Sequence, residues 1–349
     1  VAYEKAWGAR DVGTGEPQRP DDVFRLASMT KAVTSLAALM LWEEGRFQLD
    51  DPIERWLPTF AKPTVLERFE PRDSSFTTRP ARRAPTVRQL FTHTAGLDYA
   101  DIGSAEFRAI YAKAGVTALG TEGAVLATAV DALGRLPLRH EPGERFTYSL
   151  GVDVLGRLVE IWSGMPLDRF VRTRILEPLG MRDTGFELPP AARGRLVALH
   201  RRDSTNRLVA THAAEGGLHP DWPNRRVTYF SGGSGLSGTT RDYARFLQLI
   251  MNGGELDGVR LLGRKTVELM LTNQVGALEP AFGLGFALET AQNDWRTPLS
   301  PGTYSWSGAF KTYYWGDPKE RLVALLFTNV YSDLDLGAPF RTFVYSALR

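Results

Sequence analysis

Leu26-Ala27-Ser28-Met29-Thr30-Lys31 runs directly into Ala32 to Leu41, a stretch that is almost wholly apolar. An apolar run of that length predicts a buried helix, with Ser28 at its start and Gly45 as its C-cap. On a helix, residues three apart share a face about 5–6 Å apart at Cβ, so the Lys31 amine reaches the Ser28 hydroxyl. A serine hydroxyl is a poor nucleophile until a neighbouring base takes its proton. Burial helps, because a low dielectric disfavours the ammonium form of a lysine. With sixteen serines and seven lysines in 349 residues, chance alone gives this spacing about 0.3 times. The pair occurs once. On these residues alone two readings stand, a nucleophile with its base and an ordinary helix N-cap serine.

Working outward, short strands are expected at residues 3–8 and 23–26, before the Ser28 helix. A long middle section reads as helical and loop-rich. In it Thr86-Val87-Arg88-Gln89 forms a capping box that opens a short helix toward His93. Val152, Leu155 and Val159 fall at helical spacing in a helix that stops near Gly164. Past Ser231, Thr239 caps an amphipathic helix running to Met251, closed by Asn252-Gly253-Gly254. Strand-like runs follow at 286–289, 303–307, 312–315 and 321–328. The turn Asp317-Pro318-Lys319 joins the last two into an antiparallel meander. Residues 340–348 read as a terminal helix. The early strands are too few to stand alone, so they are expected to pair with the C-terminal ones. The predicted architecture is α/β, an antiparallel sheet flanked by helices. Residues 1–50 and 227–349 form a discontinuous α/β domain, and residues 51–226 a mostly helical inserted domain.

Composition narrows the function. The net charge is +2, with 43% hydrophobic and 23% charged residues, ordinary for a soluble globular chain. The absence of cysteine excludes disulfides, thiolate metal sites and cysteine nucleophiles. No apolar run approaches the roughly 18 residues of a membrane span, so no membrane partner is expected. The arginine-rich stretches 79–83 and 193–202 lack interleaved aromatics and read as solvated loops, not a nucleic-acid surface. His93, His140, His200, His212 and His219 show no metal-ligand spacing, and no metal or other cofactor is expected. Gly232-Gly233-Ser234-Gly235 lacks nucleotide-loop spacing and reads as a flexible turn bordering the pocket. Because Val1 is not a methionine, residues upstream are expected to have been removed or left out. A cytoplasmic location is expected, with the periplasm as the alternative, and oligomeric state is left open.

A serine-lysine site also needs a proton route to the leaving group and donors for an oxyanion. Tyr148-Ser149-Leu150 opens the helix that follows Glu141-Pro142-Gly143-Glu144, and a tyrosine there is either a proton shuttle or a structural cap. Ser307, Gly308 and Ala309 are small residues expected on a strand. They let backbone approach a ligand, or form a simple glycine bulge.

Together and in this order, the three segments resemble the serine β-lactamase and penicillin-binding-protein superfamily, closest to the class C-like family VIII carboxylesterases. His93-Thr94-Ala95-Gly96-Leu97, Gly235-Leu236-Ser237-Gly238-Thr239 and Tyr313-Tyr314-Trp315-Gly316-Asp317-Pro318 add to the resemblance, which runs nearly the whole chain. It implies Ser28 as nucleophile, Lys31 as the motif lysine and Tyr148 as the second-motif tyrosine. It also implies an oxyanion hole from the backbone N–H groups of Ser28 and Ala309, and substrate contacts from Trp306, Ser307 and Gly308. His93 is expected to shape the wall near the site. Two departures matter: Leu150 stands where lactamases carry an asparagine, and Trp306 where they carry a lysine. Losing both polar groups favours a neutral, apolar acyl ester on which Trp306 can stack. The expected function is therefore cleavage of short-chain carboxylic esters through an acyl-enzyme. Alternatives on the same site are a β-lactamase, a D-Ala-D-Ala peptidase or an acyltransferase; a further one is a non-catalytic penicillin-binding-like sensor or scaffold.

Overall fold

The computed structural model describes residues 1–116, 123–211 and 220–348. Its centre is the Thr30–Glu43 helix, buried continuously from Thr30 to Leu41. A helix apolar on every side has no solvent face, and neighbours must cover it all round. The Gly151–Ser163 and Leu167–Val171 helices pack against it. A loop meets two of its threonines: Thr34 Oγ1 donates to Gly232 O at 2.8 Å, and Thr30 Oγ1 accepts from Leu236 N at 3.0 Å. Gly45, at φ +74°, ends the helix, its N–H donating to Trp42 O at 2.9 Å.

Gly232 is where this packing is tightest. A Cβ there would lie 2.6 Å from Val152 O on one helix and 3.1 Å from Thr34 Cγ2 on the other, so the loop wedges between the Gly151–Ser163 and Thr30–Glu43 helices only because it has no side chain.

The C-terminal sheet runs Ala287–Leu288, Tyr304–Gly308, Thr312–Asp317 and Leu322–Leu326, each antiparallel to the next. The amphipathic Thr240–Met251 helix covers its last two strands. Two phenols tie this layer together, Tyr304 OH donating to Leu247 O at 2.9 Å and Tyr243 OH to Met29 O at 2.8 Å. The second bond anchors the turn that carries Ser28. One buried apolar cluster draws on all these elements, including Leu36 and Leu39, Leu155 and Leu158, Phe246, and Tyr304 and Tyr314. The fold is mixed α/β, with helices around antiparallel sheets.

Several local expectations are corrected. Residues 3–8 are not a strand; Ala9–Asp11 and Glu16–Pro17 pair with each other around a turn in which Asp11 Oδ1 accepts from Gly13 N at 2.7 Å. The second early strand is only Phe24–Arg25, paired with Ser237–Gly238, so neither joins the C-terminal sheet. Ser28 lies in a 3-10 turn, Ala27–Met29, and the α-helix starts at Thr30. The middle section also holds strands. Thr64–Glu70 and Ser75–Pro80 form a hairpin, and Leu199–Arg202 pairs with Leu208–Thr211 and, in parallel, with Val330–Tyr331. The arginines of 79–83 are not simply solvated: Arg79 and Arg82 both pair with the buried Glu141. Among the described residues no helix is long and apolar enough to cross a membrane.

Gly232→Ala is expected to destabilise the protein by about 1–3 kcal/mol, the usual cost of overpacking a tight interior. Urea unfolding checks this, and an unchanged midpoint would show that the loop is free to move.

Candidate active site

Ser28 is presented by a strained turn. Ala27, just before it, adopts φ +46°, a left-handed conformation that costs energy for any residue with a Cβ. Strain of this kind persists only where surrounding structure enforces it. Here Leu26 N donates to Leu236 O at 3.0 Å on one side, and Met29 O accepts the Tyr243 phenol on the other. Ser28 itself is half-buried, so its hydroxyl remains reachable.

One turn on, Lys31 is only 2% exposed. Its Nζ donates to Ser28 Oγ at 3.1 Å and to Gly233 O at 2.8 Å. The amine also lies 4.7 Å from the centroid of the Tyr148 ring and 5.5 Å from that of Tyr99. Aromatic faces near a cation replace part of its lost hydration.

Gly233 O is held in place by a residue outside the sequence motifs. Asp153 Oδ1 accepts from Gly233 N at 3.3 Å and from Ser231 Oγ at 2.5 Å. Burial pushes the Asp153 carboxyl upward, while the Ser231 hydrogen bond and the Lys31 charge pull it back down. The 231–235 turn is thus braced by hydrogen bonds, where the sequence suggested a flexible border.

Tyr148 is positioned by His93. Thr147 N donates to His93 O at 2.8 Å, and Ser149 N donates to His93 Nδ1 at 3.3 Å. The His93 ring lies 4.7 Å from Tyr148. Burial, with the Lys31 charge adding to it, holds the His93 imidazole well below its usual range, which keeps it neutral. From the far side Trp306 Nε1 donates to the Tyr148 hydroxyl at 3.3 Å, and the two rings sit 5.3 Å apart. Phe282, edge-on to Trp306 at 5.3 Å, extends the wall.

The strand bearing Trp306, Ser307 and Gly308 runs against the Ser28 turn. A Cβ on Gly308 would collide with Leu26 O and Thr312 Oγ1, so only glycine allows that approach. Ala309 follows immediately, exposed in the turn after the strand.

The structure therefore gathers Ser28, Lys31, Tyr148 and Trp306 into one site, with Ser307, Gly308 and Ala309 on the adjoining strand and turn. His140 and His200 are structural: His140 bridges Glu141 O and Thr147 Oγ1, and His200 Nε2 accepts from Val12 N. His212 and His219 lie outside the described residues. Among the described residues no cluster of three or more His, Asp or Glu is arranged to hold a metal ion.

Sequence reasoning missed Tyr99, Asp153 and Phe282, and placed Gly233 at the pocket border without its bond to Lys31. Asp153 left a trace: it is the one acid in Gly151-Val152-Asp153-Val154-Leu155-Gly156. An unpaired carboxylate is too costly in such a run. The other three are joined to the site only by tertiary packing.

Comparisons with known proteins place nearly the whole chain in a family. Residues 1–342 match the family described as Beta-lactamase. An uncharacterized protein of Mycobacterium tuberculosis is 36% identical over 95% of this chain and 83% of its own length. Esterase EstB of Burkholderia gladioli is 32% identical over 94% of this chain and 83% of its own. Among solved structures, EstCE1, described as a hydrolase with promiscuous acyltransferase activity, superposes with a TM-score of 0.81. It is 29% identical, over 98% of this chain and 90% of that one.

The neutral histidines make acid stability predictable. His93, His140 and His200 are all held below the ordinary 6.5, chiefly by burial. Below that pH the unfolded chain takes up protons that the folded one refuses. Their contribution is therefore complete above pH 6.5 and lost as the pH falls. Thermal unfolding should move to lower temperature between pH 7 and pH 5, less steeply in His93→Phe. Equal slopes in both proteins would contradict the assignment of a neutral His93.

Proposed function

Since the chain belongs to the beta-lactamase family, whose relatives include esterases, acyltransferases and carboxypeptidases, we propose that it is a carboxylesterase working through an acyl-enzyme on Ser28. One observation carries the reading: a buried lysine amine hydrogen-bonded to the hydroxyl of a half-exposed serine. Lys31, acting as the neutral amine, takes the Ser28 proton as Oγ attacks the ester carbonyl. The resulting oxyanion is met by the backbone N–H groups of Ser28 and Ala309, a contribution worth about 10²–10³ in rate for each donor. The proton then passes through Tyr148 to the departing alkoxide, and water releases the acid from Ser28.

Tyr148 suits the relay because its ring lies beside the lysine and its oxygen accepts the Trp306 N–H. An oxygen that receives a hydrogen bond is better able to carry negative charge in passing. The preference for a neutral ester rests on Leu150, which is buried, and on Trp306, whose indole N–H is turned toward Tyr148. Trp306, Ser307 and Gly308 are assigned to the acyl side of the substrate. Acyl transfer to an alcohol needs no further residue, since the alcohol takes the place of water. The description of EstCE1 favours testing for it.

A serine-directed phosphonate is expected to label Ser28 once per chain, and Ser28→Ala to abolish both labelling and turnover of 4-nitrophenyl butyrate. Labelling at another residue would overturn the assignment. Lys31→Ala should lower kcat by about 10²–10⁴ with little change in KM, because the proton transfer is made only in the transition state. A variant that raised KM alone would show Lys31 to be a binding residue. A chromogenic cephalosporin with the higher kcat/KM would favour a lactamase instead.

A further inference from the structure

A cavity of about 630 Å³ opens against Tyr148, lined among others by Ile102, Arg139, His140, Arg145 and Phe146. Tyr148 is common to this cavity and to the reaction centre, where its ring lies beside the lysine amine. If Tyr148 delivers the proton to the departing alkoxide, the alcohol half of the ester must lie on the Tyr148 side, where this cavity offers room for it.

The lining has a distinct chemistry. Ile102 is 61% exposed and Phe146 half-buried, giving apolar surface for a carbon chain. The charges are uneven. Arg139 is neutralised by Asp98 at 3.0 Å, and Asp98 is further occupied by Tyr99 N at 2.8 Å and Ser104 N at 3.3 Å. Just outside the lining, Asp101 accepts from Ile102 N at 3.0 Å. His140 is held neutral by burial, its ring fixed between Glu141 O at 2.9 Å and Thr147 Oγ1 at 2.8 Å. The nearest acids in sequence are committed elsewhere, Glu141 to Arg79 and Arg82, and Glu144 to Arg82. Arg145 is left with no carboxylate against it among the described residues. A guanidinium at the edge of an apolar cavity is suited to a carboxylate, which it can hold through two parallel hydrogen bonds.

Resting on the role given above to Tyr148, we propose that this cavity receives the alcohol part of the ester, and that this alcohol is a hydroxy acid whose ionised carboxylate is bound by Arg145. The natural substrate class is then the acyl ester of a short hydroxy acid.

The test compares 4-(butanoyloxy)butanoate with butyl butyrate, which differ by a carboxylate in place of a terminal methyl on the alcohol side. In Arg145→Gln the ratio of kcat/KM for the anionic over the neutral ester should fall about tenfold, through KM of the anionic one, and Arg145→Lys, which keeps the charge but not the paired hydrogen bonds, should recover part of it. The same loss should appear without turnover. Calorimetric binding of 4-(butanoyloxy)butanoate to Ser28→Ala protein should weaken about tenfold when Arg145→Gln is added. An unchanged ratio together with unchanged binding would overturn the proposal, as would equal losses for both esters. If the wild-type protein cleaves neither ester, the esterase reading fails on its own, and the binding measurement still decides the role of Arg145.

Discussion

A lysine amine cannot be buried to 2% exposure without acceptors, and the two that Lys31 has, Ser28 Oγ and Gly233 O, dictate much of the surrounding structure. To bring the serine within 3.1 Å, the chain takes Ala27 through a left-handed conformation just before the helix. To bring the carbonyl within 2.8 Å, it drives a glycine turn between two helices, where Gly232 meets the Thr34 side chain of the Thr30–Glu43 helix and the backbone of the Gly151–Ser163 helix. Asp153 then braces that turn from the second helix. The cost of desolvating the amine is offset by contacts drawn from three separate stretches of chain, so the site forms only when the core does.

The aromatic wall completes this constraint from the opposite side. Tyr99 and Tyr148 present ring faces to the amine, His93 fixes the backbone on both sides of Tyr148, and Trp306 donates to its oxygen. A charged imidazole at position 93 would repel the lysine, and burial keeps that ring neutral. The histidine thus holds the Tyr148 segment through its backbone oxygen and its ring nitrogen. The proton route proposed above therefore runs through the serine, lysine and tyrosine and leaves His93 out.

How much of this was legible in the sequence follows from how local each signal is. Ser28 and Lys31 could be paired because helical spacing and an apolar run are properties of a single segment. The C-terminal meander was legible because Asp317-Pro318-Lys319 marks its turn and the flanking runs are rich in strand formers. The Thr64–Glu70 and Ser75–Pro80 hairpin was not, since both strands are largely solvent-facing and carry no clean alternation of apolar residues. Phe24–Arg25 is too short for any pattern to name its partner, and Ser237–Gly238 lies more than two hundred residues away. Tyr99, Gly233 and Phe282 join the site only through packing of distant segments. That no carboxylate among the described residues lies against Arg145 appears only once Glu141 and Glu144 are seen paired with other arginines.

The central claim, that Ser28 carries the acyl group between two half-reactions, is tested most directly by quenching a reaction with 4-nitrophenyl butyrate in acid within the first turnovers and mapping the protein by mass spectrometry. The account predicts one butyryl group on the peptide containing Ser28, formed as fast as the burst of nitrophenol and decaying at the steady-state rate. Steady turnover with no adduct, or an adduct on a different residue, would contradict it.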